Sequence, residues 1–247
     1  MSLSQGDVCL SCPDAIELGI LLPHLAGVII EEVAVAAGLL LVMELRPGLK
    51  DVRRPAALIH AYITLSLLSG IRTEEARALR WAHVDLGGDP AARPPVPPHV
   101  AVWRSVRTHG ETKTERSRRT LGLPAAAVQA LRTLRESQAG ERLAAGDDWQ
   151  HTGLVFTTHN GAALDAGNVR KMFKRVCTEA GTGDGWTPRE LRTSFVSLLS
   201  HRGVAIEEIA RLAGHASTRT TEIVYRRELR PVITTGAEIM DELFTGI

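Results

Sequence analysis

The stretch from Thr187 to Arg227, TPRELRTSFVSLLSHRGVAIEEIARLAGHASTRTTEIVYRR, carries two arginines three residues apart, Arg189 and Arg192. It also carries a histidine directly after a glycine, His215, and a tyrosine ten residues further on, Tyr225. A phenol has a pKa of about 10, so roughly one in a thousand is ionised at neutral pH, a deficit of about 4 kcal/mol for a nucleophile. Clustered guanidinium groups remove much of that deficit. They also stabilise the extra negative charge on a phosphate under attack, where losing one preorganised donor costs about a hundredfold to a thousandfold in rate. The residue types therefore suit covalent attack on a phosphate, provided the fold brings them together.

The elements that must do so are readable in the same stretch. Thr187-Pro188-Arg189-Glu190 has the pattern of a capping box, with Thr187 as N-cap and Glu190 reaching back to its amide. Leu191, Phe195, Leu198 and Leu199 follow at helical spacing as one apolar stripe. Arg189 and Arg192 then lie near the helix N-terminus, where unpaired N–H groups favour an anion. A second helix is expected through Ile206, Ile209, Ala210 and Ala213, stopped by Gly214. Ser217 or Thr218 can cap a third, carrying Tyr225 ahead of Arg226 and Arg227.

The spacing of Arg192, Leu212-Ala213-Gly214-His215 and Tyr225 resembles the C-terminal motif of the tyrosine recombinase (phage integrase) family. One position departs from it: the family has a histidine three residues before the arginine, and this chain has Arg189. Upstream, SGIRTEEARALRWAHVDL, residues 69 to 86, is similar to the family's first-arginine motif. That similarity makes Arg72 a phosphate-binding arginine and Glu75 the acidic residue that orients the site. A surface ion pair between the two is the plainer reading of that spacing, worth under about 1 kcal/mol.

Further residues extend the order. Val100, Val102 and the run Trp103 to Val106 suggest a strand, and Arg119 to Leu123 the second strand of a hairpin. Between them stands Thr112-Lys113-Thr114; in the family a lysine in such a stretch is the general acid toward the leaving 5′-oxygen, and Lys113 matches it. From Arg104 to Arg119 five arginines and Lys113 face Glu111 and Glu115, a local charge of +4. Arg116, Arg118 and Arg119 are accordingly expected to contact DNA. So are Arg170 and Lys174, which a helix over Asn168 to Ala180 turns outward while Val169, Met172, Phe173 and Val176 point in.

Other helices are expected from Leu58 through Leu68, stopping at Gly70, from a Thr73 cap through Trp81, and from Ala125 to Gln138. Ala139 to Asp148 reads as a surface excursion, Leu154 to Phe156 as a short strand, and Asn160-Gly161 as a turn. The expected fold is mainly α with a small antiparallel β-sheet, the DNA breaking-rejoining catalytic fold of tyrosine recombinases. It is expected to occupy residues 55 to 247.

Residues 1 to 54 form an apolar segment of unclear origin that does not resemble the family's DNA-clamping domain. The chain is therefore read as a truncated product, or as one whose N-terminal extension replaces a lost clamp. Glu17, Pro23, His24, Glu31 and Glu32 interrupt its apolar run, which falls short of the roughly 20 residues that span a bilayer. With 44% hydrophobic and 23% charged residues the chain reads as globular, and its formal charge of +1 places any nucleic-acid surface in local patches. Three cysteines cannot build a disulfide framework, and Cys9 and Cys12 lack a second pair for a zinc site. No metal and no cofactor are expected.

The resemblance implies a site-specific recombinase of a mobile element, acting in the bacterial cytoplasm. It would join double-stranded DNA through a 3′-phosphotyrosine, as a homo-tetramer on DNA from a possible free monomer and without a membrane partner. Arg72, Lys113, Arg189, Arg192, His215 and Tyr225 would be catalytic. Two other readings stay open: a DNA-binding remnant that no longer cleaves, and a type IB topoisomerase, which shares the chemistry but relaxes supercoils as a monomer.

Overall fold

The computed structural model describes residues 55–106, 118–182, 185–215, 217–219 and 221. Residues 1 to 54, Lys113, Arg116 and Tyr225 lie outside the described residues.

Helix α1, Pro55–Ser69, is the central element. Its sequence is apolar on every side, and its burial follows: Leu58, Ile59, Ala61, Tyr62, Ile63, Leu65 and Leu67 are all buried. The expected stripe of Leu58, Tyr62 and Leu65 is inside, but it is only part of a helix enclosed all round. It packs against α3, Ala125–Ala145, α4, Ala166–Glu179, and α5, Glu190–His201. Leu131, Leu134, Val155, Phe156, Phe173 and Leu191 close the core around it, with the Tyr62 and Phe156 rings edge to face at 5.4 Å.

Gly70 ends α1 in the left-handed region at φ +62, and a Cβ there would stand 2.4 Å from the Phe195 ring. Only glycine turns the chain there and admits that ring. Helix α2, Thr73–Ala78, follows after two residues and is shorter than expected. Its N-cap is Arg72, not Thr73, and the chain continues through a 3-10 turn, Trp81–His83, into strand β1, Val84–Asp85.

The sheet is antiparallel, in the order β1, β2 (His99–Val102), β3 (Arg119–Gly122). Val100 pairs with Leu121 and Val102 with Arg119, so the expected hairpin strands are present; β1 adds an edge that its two residues were too short to announce. Leu154 makes only an isolated bridge with Arg80 in place of the expected strand. Helix α3 runs seven residues past Gln138 and through the expected excursion, with Leu143 85% exposed. Gln138 is the last buried residue of that helix, and its side chain ties Trp81 to Val155 and Thr157.

Half of the capping box read before α5 forms: the Glu190 carboxylate accepts from the Thr187 amide at 3.0 Å and from the Thr187 hydroxyl, but the helix starts at Glu190 with Arg189, not Thr187, as its N-cap. Helix α6, Ile206–Ala213, packs on α5 through Ile209 and Ala213 against Phe195 and Val196, and ends at Gly214 with φ +64.

Candidate functional site

Three segments meet beside the α1–α2 junction: the first turn of α2, the early part of α5, and the C-terminal end of α6. Arg72 caps α2, and Glu75 sits three residues later, 4% exposed. Its carboxylate accepts from the Arg72 backbone N–H at 2.9 Å and from Arg72 Nη1 at 2.7 Å. The pairing read from the i, i+3 spacing therefore exists, but against a buried carboxylate and not on the surface. Arg72 Nη2 continues to the Gly214 carbonyl at 2.6 Å, 142 residues away, and its side chain keeps 33% exposure. Arg72 is thus held on two sides and open on a third.

Arg192 lies in the first turn of α5. Its Nη1 donates to the Gly70 carbonyl at 2.5 Å, while Nη2 is buried with no hydrogen-bond partner among the described residues. Burial first, then the charges of Arg72 and Arg119, hold its guanidinium down to about 9. It remains charged at neutral pH, and an unsatisfied buried donor on a repelled cation is a demand for an anion. Arg189 adds to that repulsion from the exposed turn before α5.

These properties make a sharp expectation. Arg192→Met replaces an under-satisfied buried charge by an apolar chain of similar reach, and is expected to leave the fold as stable or more stable by on the order of 1 kcal/mol. Loss of the preorganised donor is expected to slow phosphate chemistry about a hundredfold to a thousandfold. Thermal melting and single-turnover kinetics measure the two effects; a variant that melts well below the parent contradicts the demand.

His215 follows the α6 stop, and its Nδ1 lies 2.7 Å from the Thr221 hydroxyl. Burial, followed by the charges of Arg192, Arg72 and Arg119, pushes the imidazole from 6.5 down to about 4. At neutral pH it is an uncharged ring, able to donate or accept a proton at Nε2 according to the direction of the Thr221 bond. Between pH 6.5 and 4 the unfolded chain holds the His215 proton and the folded chain does not. Stability from this group is therefore present above pH 6.5, falls as pH drops through that window, and is lost below about 4. Denaturant midpoints across that range are expected to fall for the parent and to fall less steeply for His215→Gln; equal slopes remove the effect.

Arg119 is a correction to the sequence reading. It was expected along DNA, but its side chain is 8% exposed and its nitrogens are engaged within the site: Nη2 and Nη1 on the two Glu75 oxygens at 2.9 and 3.1 Å, Nε on the Leu212 carbonyl at 2.8 Å. The period of two in β3 carries the missed signal, because Arg119 shares its face with buried Leu121. Thr221 and the carbonyls of Gly70, Leu212 and Gly214 are the other site groups that sequence reasoning missed. Glu75, surrounded by Arg119 and Arg72, has its pKa lowered although burial opposes the shift.

Arg118, Arg170 and Lys174 are exposed, as expected of surface cations. Among the described residues no group of three or more His, Cys, Asp or Glu could hold a metal, and no helix is long and apolar enough to cross a membrane.

This arrangement of guanidinium groups from α2, β3 and α5, with His215 at the end of α6, is accompanied by a match to the Phage integrase family model over residues 50–230. The chain belongs to that family. It is 58% identical over 188 residues to the Integrase of Streptomyces ambofaciens, covering 75% of this chain and 48% of the relative. It is 26% identical over 212 residues to a XerC-like tyrosine recombinase of Caldanaerobacter subterraneus, covering 82% and 53%. The chain thus spans about half the length of these curated relatives. Its fold is that of XerA recombinase, with TM-score 0.59 at 18% identity over 85% of this chain and 63% of the other. It is equally that of XerH recombinase in a post-cleavage complex with its difH substrate, with TM-score 0.60 at 18% identity over 84% and 52%.

Proposed function

We propose that this chain is the catalytic part of a site-specific DNA recombinase, residues 55 to 247 forming its catalytic domain, which cuts and rejoins double-stranded DNA through a 3′-phosphotyrosine. The observation that carries the reading is Arg192 Nη2, a buried cationic donor without a partner among the described residues, beside the half-open guanidinium of Arg72.

In this reading Arg72 and Arg192 hold the non-bridging oxygens of one phosphodiester, with Arg189 donating from the rim. The Tyr225 oxygen attacks phosphorus, the bond to the 5′-oxygen breaks, and Lys113 supplies that oxygen's proton. His215, uncharged at neutral pH, either takes the phenol proton at Nε2 or donates there to the phosphate. Rejoining reverses each step with a different 5′-hydroxyl, so the ester energy is kept in the covalent intermediate and no nucleotide or metal enters. Arg116, Arg118, Arg170 and Lys174 bind the flanking backbone. The DNA-bound form is a homo-tetramer in the bacterial cytoplasm, and the DNA belongs to a mobile element, in keeping with the integrase relative.

The test is a duplex nicked next to the cleavage position, so that the released strand diffuses away and the adduct is trapped. A protein–DNA adduct that mass spectrometry maps to Tyr225 is the expected outcome. Tight binding without adduct would mean a remnant that no longer cleaves, and supercoil relaxation without exchange between two sites would mean a topoisomerase.

A further inference from the structure

Arg119 has no part in the mechanism above, and its place rules out a backbone contact of the ordinary kind. It opens β3, immediately after the segment that bears Lys113, and its guanidinium is spent inside the protein. What it joins is informative. The fork grips both oxygens of Glu75, the same carboxylate that fixes the amide and guanidinium of Arg72. Its Nε takes the Leu212 carbonyl, one of the last carbonyls of α6, where a cation also meets the negative end of the helix dipole. Two residues on, the Gly214 carbonyl accepts from Arg72 Nη2, and His215 follows. The bonds close a ring through Arg119, Glu75, Arg72 and the 212–214 backbone. Gly214 completes it by lacking a side chain, since a Cβ there would stand 2.8 Å from Arg119 Nη1.

We propose that Arg119 is a positioning residue, a clamp that holds Arg72 and His215 in register and ties that register to β3, without touching DNA itself. A lysine cannot replace it, because one ammonium does not span two carboxylate oxygens and a carbonyl in a single plane.

The rate readout rests on the strand-cleavage reading; a second readout does not. With the 247-residue chain, Arg119→Gln is expected to slow adduct formation at saturating nicked duplex about a hundredfold, the cost of a small misplacement of reacting groups. The duplex Kd and its salt slope stay as in the parent. Arg119→Lys is expected to recover less than about tenfold of that loss, since it restores charge but not the fork. Combined with Glu75→Gln, Arg119→Gln is expected to be no slower than the slower single variant, the mark of residues acting as one unit.

Two results would overturn the proposal: a salt slope reduced by about one with an unchanged saturated rate, which marks a phosphate contact, or additive losses in the double variant. Melting curves identify folded variants, and should Arg119→Gln fail to fold, Arg119→Lys carries the same comparisons. If the parent forms no adduct, strand cleavage fails as a reading. The clamp is then judged by titrating inorganic phosphate against the His215 ring signals, where weaker binding in Arg119→Lys supports it and equal binding refutes it.

Discussion

Tyr225→Phe is expected to end covalent adduct formation on a nicked duplex altogether while leaving the Kd for that duplex within about twofold, since a buried-anion site and surface cations, not one phenol, supply binding. The size of the effect follows from the absence of a substitute. The chain has two tyrosines, and the other, Tyr62, is 1% exposed in the core of α1. Burial pushes its phenol up to about 12, the wrong direction for a nucleophile, and its ring is packed against Phe156. In the proposed role Tyr225 would need the opposite environment, one in which each neighbouring positive charge favours the phenolate. Residual adduct in Tyr225→Phe, resolved on a denaturing gel, would remove Tyr225 from the role assigned to it.

Glu75→Gln is expected to cost about 3–5 kcal/mol of stability, the usual penalty for taking one partner from a buried, hydrogen-bonded ion pair. The change is nearly isosteric, so it isolates charge. In the parent one carboxylate, 4% exposed, answers Arg72 and the nearly buried Arg119, and offsets part of the repulsion felt by Arg192. Neutralising it leaves three guanidinium groups facing one another without the carboxylate that counters them. The same substitution is expected to weaken catalysis, because one of the two oxygens that accept from Arg72 becomes an amide donor and that orienting bond is lost. Chemical denaturation measures the first effect, and a loss below about 1 kcal/mol would place the pair in the class of exposed bridges.

How far the sequence discloses this site depends on the range of the interactions that build it. The Thr187–Glu190 box, the Gly214 stop and the Arg72–Glu75 pairing involve residues three apart or a single conformational requirement, and each was readable. The fold class was readable too, since runs of helical spacing dominate and the hairpin supplies the main extended stretch. Arg119 was misassigned because its partners lie 44 and 93 residues away, and a basic run gives no sign of which member turns inward. The end of α3 was missed for a related reason: beyond Gln138 the helix extends into solvent, so no buried face marks its continuation. The α2 cap shifted from Thr73 to Arg72 because Glu75 reaches the Arg72 amide, and a reciprocal bond of that kind needs only the acidic residue, not a hydroxyl.

The two guanidinium groups of the cradle are anchored by carbonyls 142 and 122 residues distant, at Gly214 and Gly70. Closing loops of that length comes late in folding, because their entropy is lost before the contact repays it. A chain emerging from the ribosome therefore carries Arg72 and Glu75 long before α5 and α6 exist, and in that interval the two guanidinium groups cannot form a cradle. The cradle can close only once Arg192 and the Gly214 carbonyl have been made, so a chain interrupted before them holds Arg72 and Glu75 without the distant partners that complete the arrangement.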